Sequence, residues 1–128
     1  MYVINENRSI IDYSKIRFTK PSEFKPNTTY TAVIVKFRAF IDYDGRKNFE
    51  FTLNVADEFG GYGKYKKLYP IVTHHDSVIC RLLYGLDAIS DKGTIIVENL
   101  IKKKVQVNFT FGKWGNFYIA SIFPLPKD

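Results

Sequence analysis

Aromatic and basic residues interleave in one short stretch, and this pattern is the strongest chemical signal in the sequence. Residues 58–67 hold Tyr62, Lys64, Tyr65, Lys66 and Lys67 among three glycines. Single-stranded nucleic acid is held by cations that contact its phosphates and by aromatic rings that stack under its bases, and this stretch supplies both. The pattern predicts a nucleic-acid-binding loop. A mobile, solvated loop is the alternative interpretation, because glycines loosen the backbone.

Two further positions place an aromatic residue beside a cation, and both are predicted hairpin turns. One turn holds Tyr43 followed by Arg46 and Lys47, and the other holds Lys113 and Trp114. Trp114 is the only tryptophan. At a hairpin tip its large apolar surface is difficult to bury, which favours a role in binding. The alternative is a tryptophan tucked against the domain or into a subunit interface.

Charged side chains on the predicted strands could line a groove between these loops. Lys36, Arg38 and Phe40 alternate along the first strand and share its polar face. Solvated strand charges are the alternative, since Arg38 is expected to pair with Glu50. The run Lys102-Lys103-Lys104 is either a second positive cluster or a set of lysines that guards an edge strand.

The sequence His74-His75-Asp76 is the strongest candidate for a catalytic or metal-binding site, but the support for such a site is weak. A metal site needs three or four convergent ligands, and a hydrolytic site needs a base beside a nucleophile. No Glu, Cys or third His recurs nearby. We therefore predict a protein that is not an enzyme and that needs no cofactor. A metal-dependent hydrolase stays as an alternative.

Composition bounds the class of protein. The chain has 128 residues, of which 45% are hydrophobic and 16% aromatic, values that describe one β-rich globular domain. Its net charge of +6 favours polyanionic partners such as nucleic acid. The single cysteine, Cys80, excludes an internal disulfide. Neither a secretory signal nor a membrane-spanning run is visible, so we expect a cytoplasmic protein and no membrane partner.

The first half of the chain predicts a long β-hairpin. Apolar residues at odd positions predict a core face on strands 30–42 and 46–55. The core positions expected in the first strand are Val33, Val35, Phe37, Ala39 and Ile41. The two faces coincide only with a three-residue loop, Tyr43-Asp44-Gly45, that ends in a left-handed glycine. This register sets Phe37 opposite Phe51, Val35 opposite Leu53, Arg38 opposite Glu50 and Asp42 opposite Arg46.

The second half predicts a short strand, a helix and another hairpin. Residues 66–72 form the third strand, and apolar spacing of three and four predicts a helix over 76–89. Strands 103–111 and 117–123 are joined by a turn at Lys113-Trp114-Gly115. Residues 1–28 are expected to form an extended arm that covers a sheet edge, wraps the domain or contacts a partner subunit. A domain over 29–124 and a short tail at 125–128 follow.

This order of elements is that of a five-stranded OB-fold barrel, with one helix between the third and fourth strands. Over residues 29–123 the sequence resembles the small OB-fold single-stranded-DNA-binding proteins of bacteriophages and related mobile elements. The resemblance rests on the strand order, the aromatic and basic loops, and the segment 100–107 leading into Trp114-Gly115-Asn116.

The resemblance implies non-catalytic, sequence-tolerant binding of single-stranded DNA in replication or recombination, with RNA as an alternative ligand. It also implies a homo-oligomer and contacts with replication or recombination proteins. The acidic tail that recruits partners in many bacterial proteins of this kind has no counterpart in the terminal Phe-Pro-Leu-Pro-Lys-Asp. A protein-binding module, such as a virion or inhibitor component, is the other open function, because its interfaces also favour exposed aromatics.

Overall fold

The protein is mainly β, with one antiparallel five-stranded sheet and one α-helix. A computed structural model describes residues 11–18, 24–25 and 28–126. Its elements are β1 (Thr29–Ile41), β2 (Lys47–Ala56), β3 (Tyr62–Pro70), α1 (Val78–Gly85), β4 (Lys104–Phe111) and β5 (Phe117–Pro124), with 3-10 turns at Tyr13–Lys15 and Val97–Asn99. The strands are arranged in the order β3-β2-β1-β4-β5. In the described part of the chain, no helix has the length and apolar character that a membrane crossing needs.

The sheet is not closed, contrary to the barrel predicted from the sequence. β3 and β5 are its two edges, and no hydrogen-bonded ladder joins them in the described part of the chain. The buried side chain of Tyr69 lies between these edges, and its hydroxyl accepts a hydrogen bond from the Ile122 backbone N–H at 2.9 Å. A side chain therefore bridges the place where a ladder would close the barrel.

The helix follows β3 in the chain and packs against β5. In space it lies against β5 and not between β3 and β4. Ser77 caps the helix by accepting the Cys80 N–H at 3.1 Å. The helix ends at Gly85, earlier than the predicted residue 89. The chain turns away at Asp87, whose φ of 57° is left-handed and cannot continue a right-handed helix.

A β-bulge in β1 overturns the predicted core face of that strand. Ile34 pairs with Leu53 and Lys36 with Thr52, which leaves Val35 as an extra residue. Before the bulge the buried residues are Tyr30, Ala32 and Ile34, all at even positions. After it, Phe37 packs against the core opposite Phe51 as predicted, whereas Ala39 and Ile41 are exposed. The predicted pairing of Val35 with Leu53 is wrong for the same reason.

The predicted pairing of Arg38 with Glu50 is confirmed, but the predicted charge pair at the hairpin end is not. The Asp42 carboxylate accepts the backbone N–H groups of Asp44 and Arg46, at 3.0 and 2.9 Å, and the Asn48 side-chain amide at 3.1 Å. The Asp42 carboxylate therefore fixes the turn through these hydrogen bonds. The guanidinium of Arg46 makes no ion pair with it.

One type of turn recurs four times. In each, the N–H of the first residue donates to the carbonyl of the fifth, and the fourth residue is a glycine with φ between 77° and 83°. The turns span 42–46, 57–61, 90–94 and 112–116. Only glycine takes this φ without steric cost. The three-residue loops predicted at Tyr43 and Lys113 therefore belong to a device that the chain uses twice more.

The turn at 57–61 starts β3 at Tyr62, four residues before the predicted position 66. Asp57 Oδ1 accepts the N–H groups of Phe59 and Gly61, both at 2.8 Å, which tightens the turn. Most of the stretch 58–67, predicted to be a nucleic-acid-binding loop, is therefore strand. Successive side chains of this strand point to opposite faces of the sheet, so each face receives both aromatic and basic residues.

An aromatic cluster fills the core at the end of the sheet near the start of β1. Phe24 stacks on Phe109 with ring centroids 4.4 Å apart, and Tyr30 and Tyr65 meet the same two rings edge-on. The Lys25 N–H donates to the Tyr30 hydroxyl at 2.9 Å. The described end of the N-terminal arm is therefore part of the core, while most of the arm predicted at 1–28 and the last two residues of the predicted tail lie outside the described residues.

Candidate nucleic-acid interface

A groove of about 640 Å³ lies on the outward face of β1, β2 and β3. The strand alternation that sends Phe51 and Leu53 into the core sends Glu50 and Thr52 to this face. The bulge in β1 brings Lys36 opposite Thr52. The lining residues are Val35, Lys36, Phe37, Arg38, Glu50, Thr52, Lys64, Lys66 and Ile101.

Two neighbours hold Arg38 in this groove. Its Nε lies 2.8 Å from Glu50 Oε1 and its Nη2 lies 3.3 Å from Glu50 Oε2, a bidentate ion pair. Its guanidinium also lies 4.5 Å from the centroid of the Phe40 ring. The hydrogen bond from Arg38 is the main reason that the pKa of Glu50 lies below its ordinary value. Arg38 still exposes 59% of its side chain, so it can contact a ligand.

The groove is positively charged overall. Lys36, Arg38, Lys64 and Lys66 contribute four positive charges and Glu50 one negative charge, which leaves three positive charges. Lys66 approaches Glu50 only to 3.9 Å. Lys36 and Lys64 are exposed and have no ion-pair partner among the described residues. Exposed cations around one groove are suited to contact a phosphate backbone.

A second depression, of about 590 Å³, continues the same face towards the start of β1. Its lining includes Thr29, Thr31 and Val33 of β1, together with Glu58 and Tyr62. Tyr62 is 54% exposed, so its ring is accessible. Of the described residues that line it, Asp57 and Glu58 carry carboxylates and none is a lysine or an arginine, while Tyr62 offers an aromatic surface. The depression is better suited to a base than to a phosphate.

The structure divides the aromatic and basic residues of 62–67 between the two faces of β3. Tyr62, Lys64 and Lys66 lie on the outward face, where the sequence predicted a binding role for them. Tyr65 lies inside, where its ring centroid is 4.9 Å from that of Phe109. Its predicted role in base stacking conflicts with this position, because the ring packs in the core.

Lys67 also lies on the inward face of β3. Its Nζ is 5.2 Å from the centroid of the Tyr69 ring, and burial lowers its pKa. Burial likewise raises the pKa of Tyr69. Because Lys67 is partly buried beneath the sheet, it does not belong to the groove, although the sequence had grouped it with the phosphate-binding lysines.

The two hairpin tips present the most exposed aromatics of the predicted site. Tyr43 is 99% exposed and Trp114 is 92% exposed. The tips lie at opposite ends of β1, because β1 and β4 run antiparallel and Thr29 pairs with Asn108 near the end of β4. Arg46, Lys47 and Lys113 are exposed on the same tips. The outward face of the sheet therefore has an aromatic and a basic residue beyond each end.

The cluster His74-His75-Asp76 lies on the surface before α1. The ligand atoms of the three residues are within 4.8 Å of one another, and all three residues are exposed. The Asp76 carboxylate lies 3.2 Å from His75 Nε2 and 3.4 Å from Arg81 Nη2. His74 Nδ1 accepts the Asp76 N–H at 3.2 Å. These groups already have partners, and the cluster lies in neither of the two depressions described above.

Comparison of the sequence with models of known protein families and with curated proteins finds no match to either. The functional assignment therefore depends on the residues of this chain and on their arrangement.

Proposed function

We propose that this protein binds single-stranded nucleic acid, DNA foremost, without catalysis and with little sequence preference. The observation that carries the proposal is the groove on β1, β2 and β3, where four exposed cations surround one carboxylate that already pairs with Arg38. Phosphates would lie in this groove, and bases would stack on Tyr62 and on the tip aromatics Tyr43 and Trp114. Phosphate contacts and ring stacking do not depend on base identity, which accounts for the tolerance.

The fold we infer behind this activity is an OB barrel opened between β3 and β5. In an OB barrel, ligands bind on the face of the second and third strands, between the loop that joins the first two strands and the loop that joins the last two. The basic groove lies on that face, and the tips with Tyr43 and Trp114 are those two loops. A role in replication or recombination, oligomerisation and contacts with proteins of those processes follow from the sequence resemblance and belong to the same proposal.

The direct test is a fluorescence-anisotropy titration with dT, rU and duplex oligonucleotides at two salt concentrations. We expect the single strands to bind more tightly than the duplex. The logarithm of the affinity should fall against the logarithm of the salt concentration with a slope of about 0.7 per neutralised phosphate. Absence of binding at low salt, or equal affinity for duplex and single strand, would overturn the proposal.

Two variants locate the site. Lys64→Ala should weaken binding and reduce the salt slope, and Trp114→Ala should weaken binding by about 1–3 kcal/mol if a base stacks on that ring. Neither should unfold the domain, since both side chains are exposed. Lys92→Ala is the matched control, because Lys92 is an exposed lysine in the turn at 90–94 and lines neither depression.

The exposure of Trp114 and Tyr43 also suits a protein-binding module, since large aromatics anchor protein interfaces. A pull-down distinguishes the two functions. A protein partner whose capture withstands nuclease and moderate salt, but is lost in Trp114→Ala, would favour the protein-binding module. Capture that nuclease abolishes would support nucleic-acid binding.

A further inference from the structure

Lys102 has a backbone conformation that lysine rarely adopts. Its φ is 69°, in the left-handed region where a Cβ crowds the backbone. Among the described residues, the only other non-glycine residue with a positive φ is Asp87. Aspartate is enriched in this region, whereas glycine occupies it freely. A lysine at this position therefore calls for a physical reason.

The fold explains the conformation but not the side chain. The Lys102 N–H donates to the Ile34 carbonyl at 2.7 Å, and the Ile34 N–H donates to the Lys103 carbonyl at 3.0 Å. These bonds attach the chain before β4 to β1, directly beside the bulge at Val35. They involve only backbone atoms, so a glycine would form them with less strain. These contacts therefore give no reason for a lysine in place of a glycine at this position.

The three lysines of the run do not protect a sheet edge. β4 pairs with both β1 and β5, so it is an interior strand. Lys103 has a structural contact, because its Nζ donates to the Leu86 carbonyl just after α1 at 2.5 Å. Lys102 and Lys104 are exposed, and neither has an ion-pair partner in the described ranges. Their charges are available to a ligand.

Both available lysines lie beside the outward face that carries the groove. Ile101, which precedes Lys102, lines the groove. Lys104 pairs with Val33, whose side chain lines the second depression. On the far side of the groove, Lys64 and Lys66 belong to β3. Strands β3, β2, β1 and β4 are neighbours in that order, so the two lysine pairs are about 14 Å apart by strand spacing.

We infer that Lys102 and Lys104 form a second phosphate-binding site, so that the nucleic-acid backbone crosses β3, β2 and β1 from Lys64 and Lys66 to these residues. This inference rests on the function proposed above and adds to it the direction in which the strand crosses the sheet. The charge of Lys102 at the exit of the groove then accounts for a lysine at this strained position.

The test uses three substitutions at one position, with dT oligonucleotide binding and thermal unfolding measured for each. Lys102→Gly removes charge and strain, so we expect an equal or higher Tm, an affinity about three- to tenfold lower at low salt, and a salt slope about 0.7 smaller. Lys102→Ala removes the charge but keeps the strain, and should lose the same affinity. Lys102→Arg keeps the charge and should bind as the wild type does.

Two reference variants separate the failure of this inference from the failure of the proposed function. If the wild type binds no single-stranded DNA, the proposed function fails and this inference with it. If Lys64→Ala weakens binding while Lys102→Gly and Lys102→Ala bind like Lys92→Ala, the second site is refuted and the groove stands. Equal losses in Lys102→Arg and Lys102→Ala would also refute it, because charge would then not be the cause.

Discussion

Glu50 has two effects on the groove that oppose each other. Its carboxylate orients Arg38 through a bidentate contact, yet it cancels part of the charge that would attract phosphate. Only 11% of the Glu50 side chain is exposed, so the carboxylate depends on Arg38 and Lys66 to stay ionised at low cost. The negative charge of Glu50 is unfavourable for an anionic ligand, but its carboxylate fixes the position of the Arg38 guanidinium in the groove.

The Arg38–Glu50 pair predicts a specific pH dependence. Because the folded-state pKa of Glu50 lies below 4.5, ionised Glu50 stabilises the fold above that pH, and this contribution is lost as the pH falls through the folded-state pKa. Glu50→Gln should lower the free energy of unfolding by about 1 kcal/mol at pH 7. Urea unfolding of both proteins should show the difference shrinking below pH 4.5. A difference that is constant with pH would contradict this account.

Tyr62 and Tyr65 are three residues apart and should behave in opposite ways. Tyr62→Ala should weaken single-strand binding by about 1–3 kcal/mol and leave stability unchanged, since the ring is exposed beside the second depression. Tyr65→Ala should destabilise the fold by about 2–4 kcal/mol, because it removes a ring that packs against Phe24 and Phe109. Fluorescence anisotropy and thermal unfolding of both variants test whether Tyr62 acts in binding and Tyr65 in folding. A Tyr65→Ala protein as stable as the wild type would disprove the role of Tyr65 in the core.

At the scale of elements, β1 owes its dual role to the bulge at Val35. Apolar residues occupy both parities over 30–35, so the sequence pattern fits either face of the strand. Burial of Tyr30, Ala32 and Ile34 at even positions and inward packing of Phe37 at an odd position are compatible only with an extra residue between Ile34 and Phe37. The bulge also brings Lys36 to the outward face. One irregularity thus serves both the core and the groove.

Two of the turns that join strands, 42–46 and 57–61, are fixed by the aspartate at their first position. Asp57 is buried, and one of its oxygens accepts two backbone N–H groups. Asp57→Ala should therefore cost about 1–3 kcal/mol, because two N–H groups lose their acceptor. Glu58→Ala removes the same charge from the next, exposed position and is the matched control. Equal midpoints for the two variants in urea unfolding would show that these hydrogen bonds are unimportant.

At the scale of the whole molecule, the open seam between β3 and β5 is the least conventional feature. The edges are linked by the hydrogen bond from the Ile122 N–H to the Tyr69 hydroxyl, and α1 packs on the β5 side. Edge strands are normally protected from pairing with other chains. Here the hydroxyl of the buried Tyr69 links the two edges.

Tyr69→Phe should loosen this seam locally. It leaves the Ile122 N–H without its acceptor, so the free energy of unfolding should fall by about 1–3 kcal/mol. The Ile122 amide should also exchange faster with solvent than in the wild type. Hydrogen exchange followed by NMR makes the measurement. Tyr84→Phe, which alters an exposed tyrosine of α1, should change neither quantity. An unchanged exchange rate of the Ile122 amide in Tyr69→Phe would show that the Tyr69 hydroxyl does not hold β3 and β5 together.

The sequence alone determined the features that depend on local chemistry. Glycine at the fourth position of each turn fixed the two predicted hairpin loops, and the pairing of Arg38 with Glu50 followed from their register. Helical spacing identified α1, although its end at Gly85 depended on the later reversal at Asp87. Composition indicated a mainly β domain with surplus cations. These features are local because each depends on neighbours in the chain or across one hairpin.

Only the tertiary structure decided which side each residue faces. The alternation of Tyr and Lys in 62–67 looked like a binding loop, but it is a strand that sends Tyr65 and Lys67 inward and Lys64 and Lys66 outward. The lysines at 102–104 looked equivalent, yet one contacts the carbonyl of Leu86 and another is strained beside the groove. Such differences arise because burial depends on distant strands, which a pattern within one strand does not record.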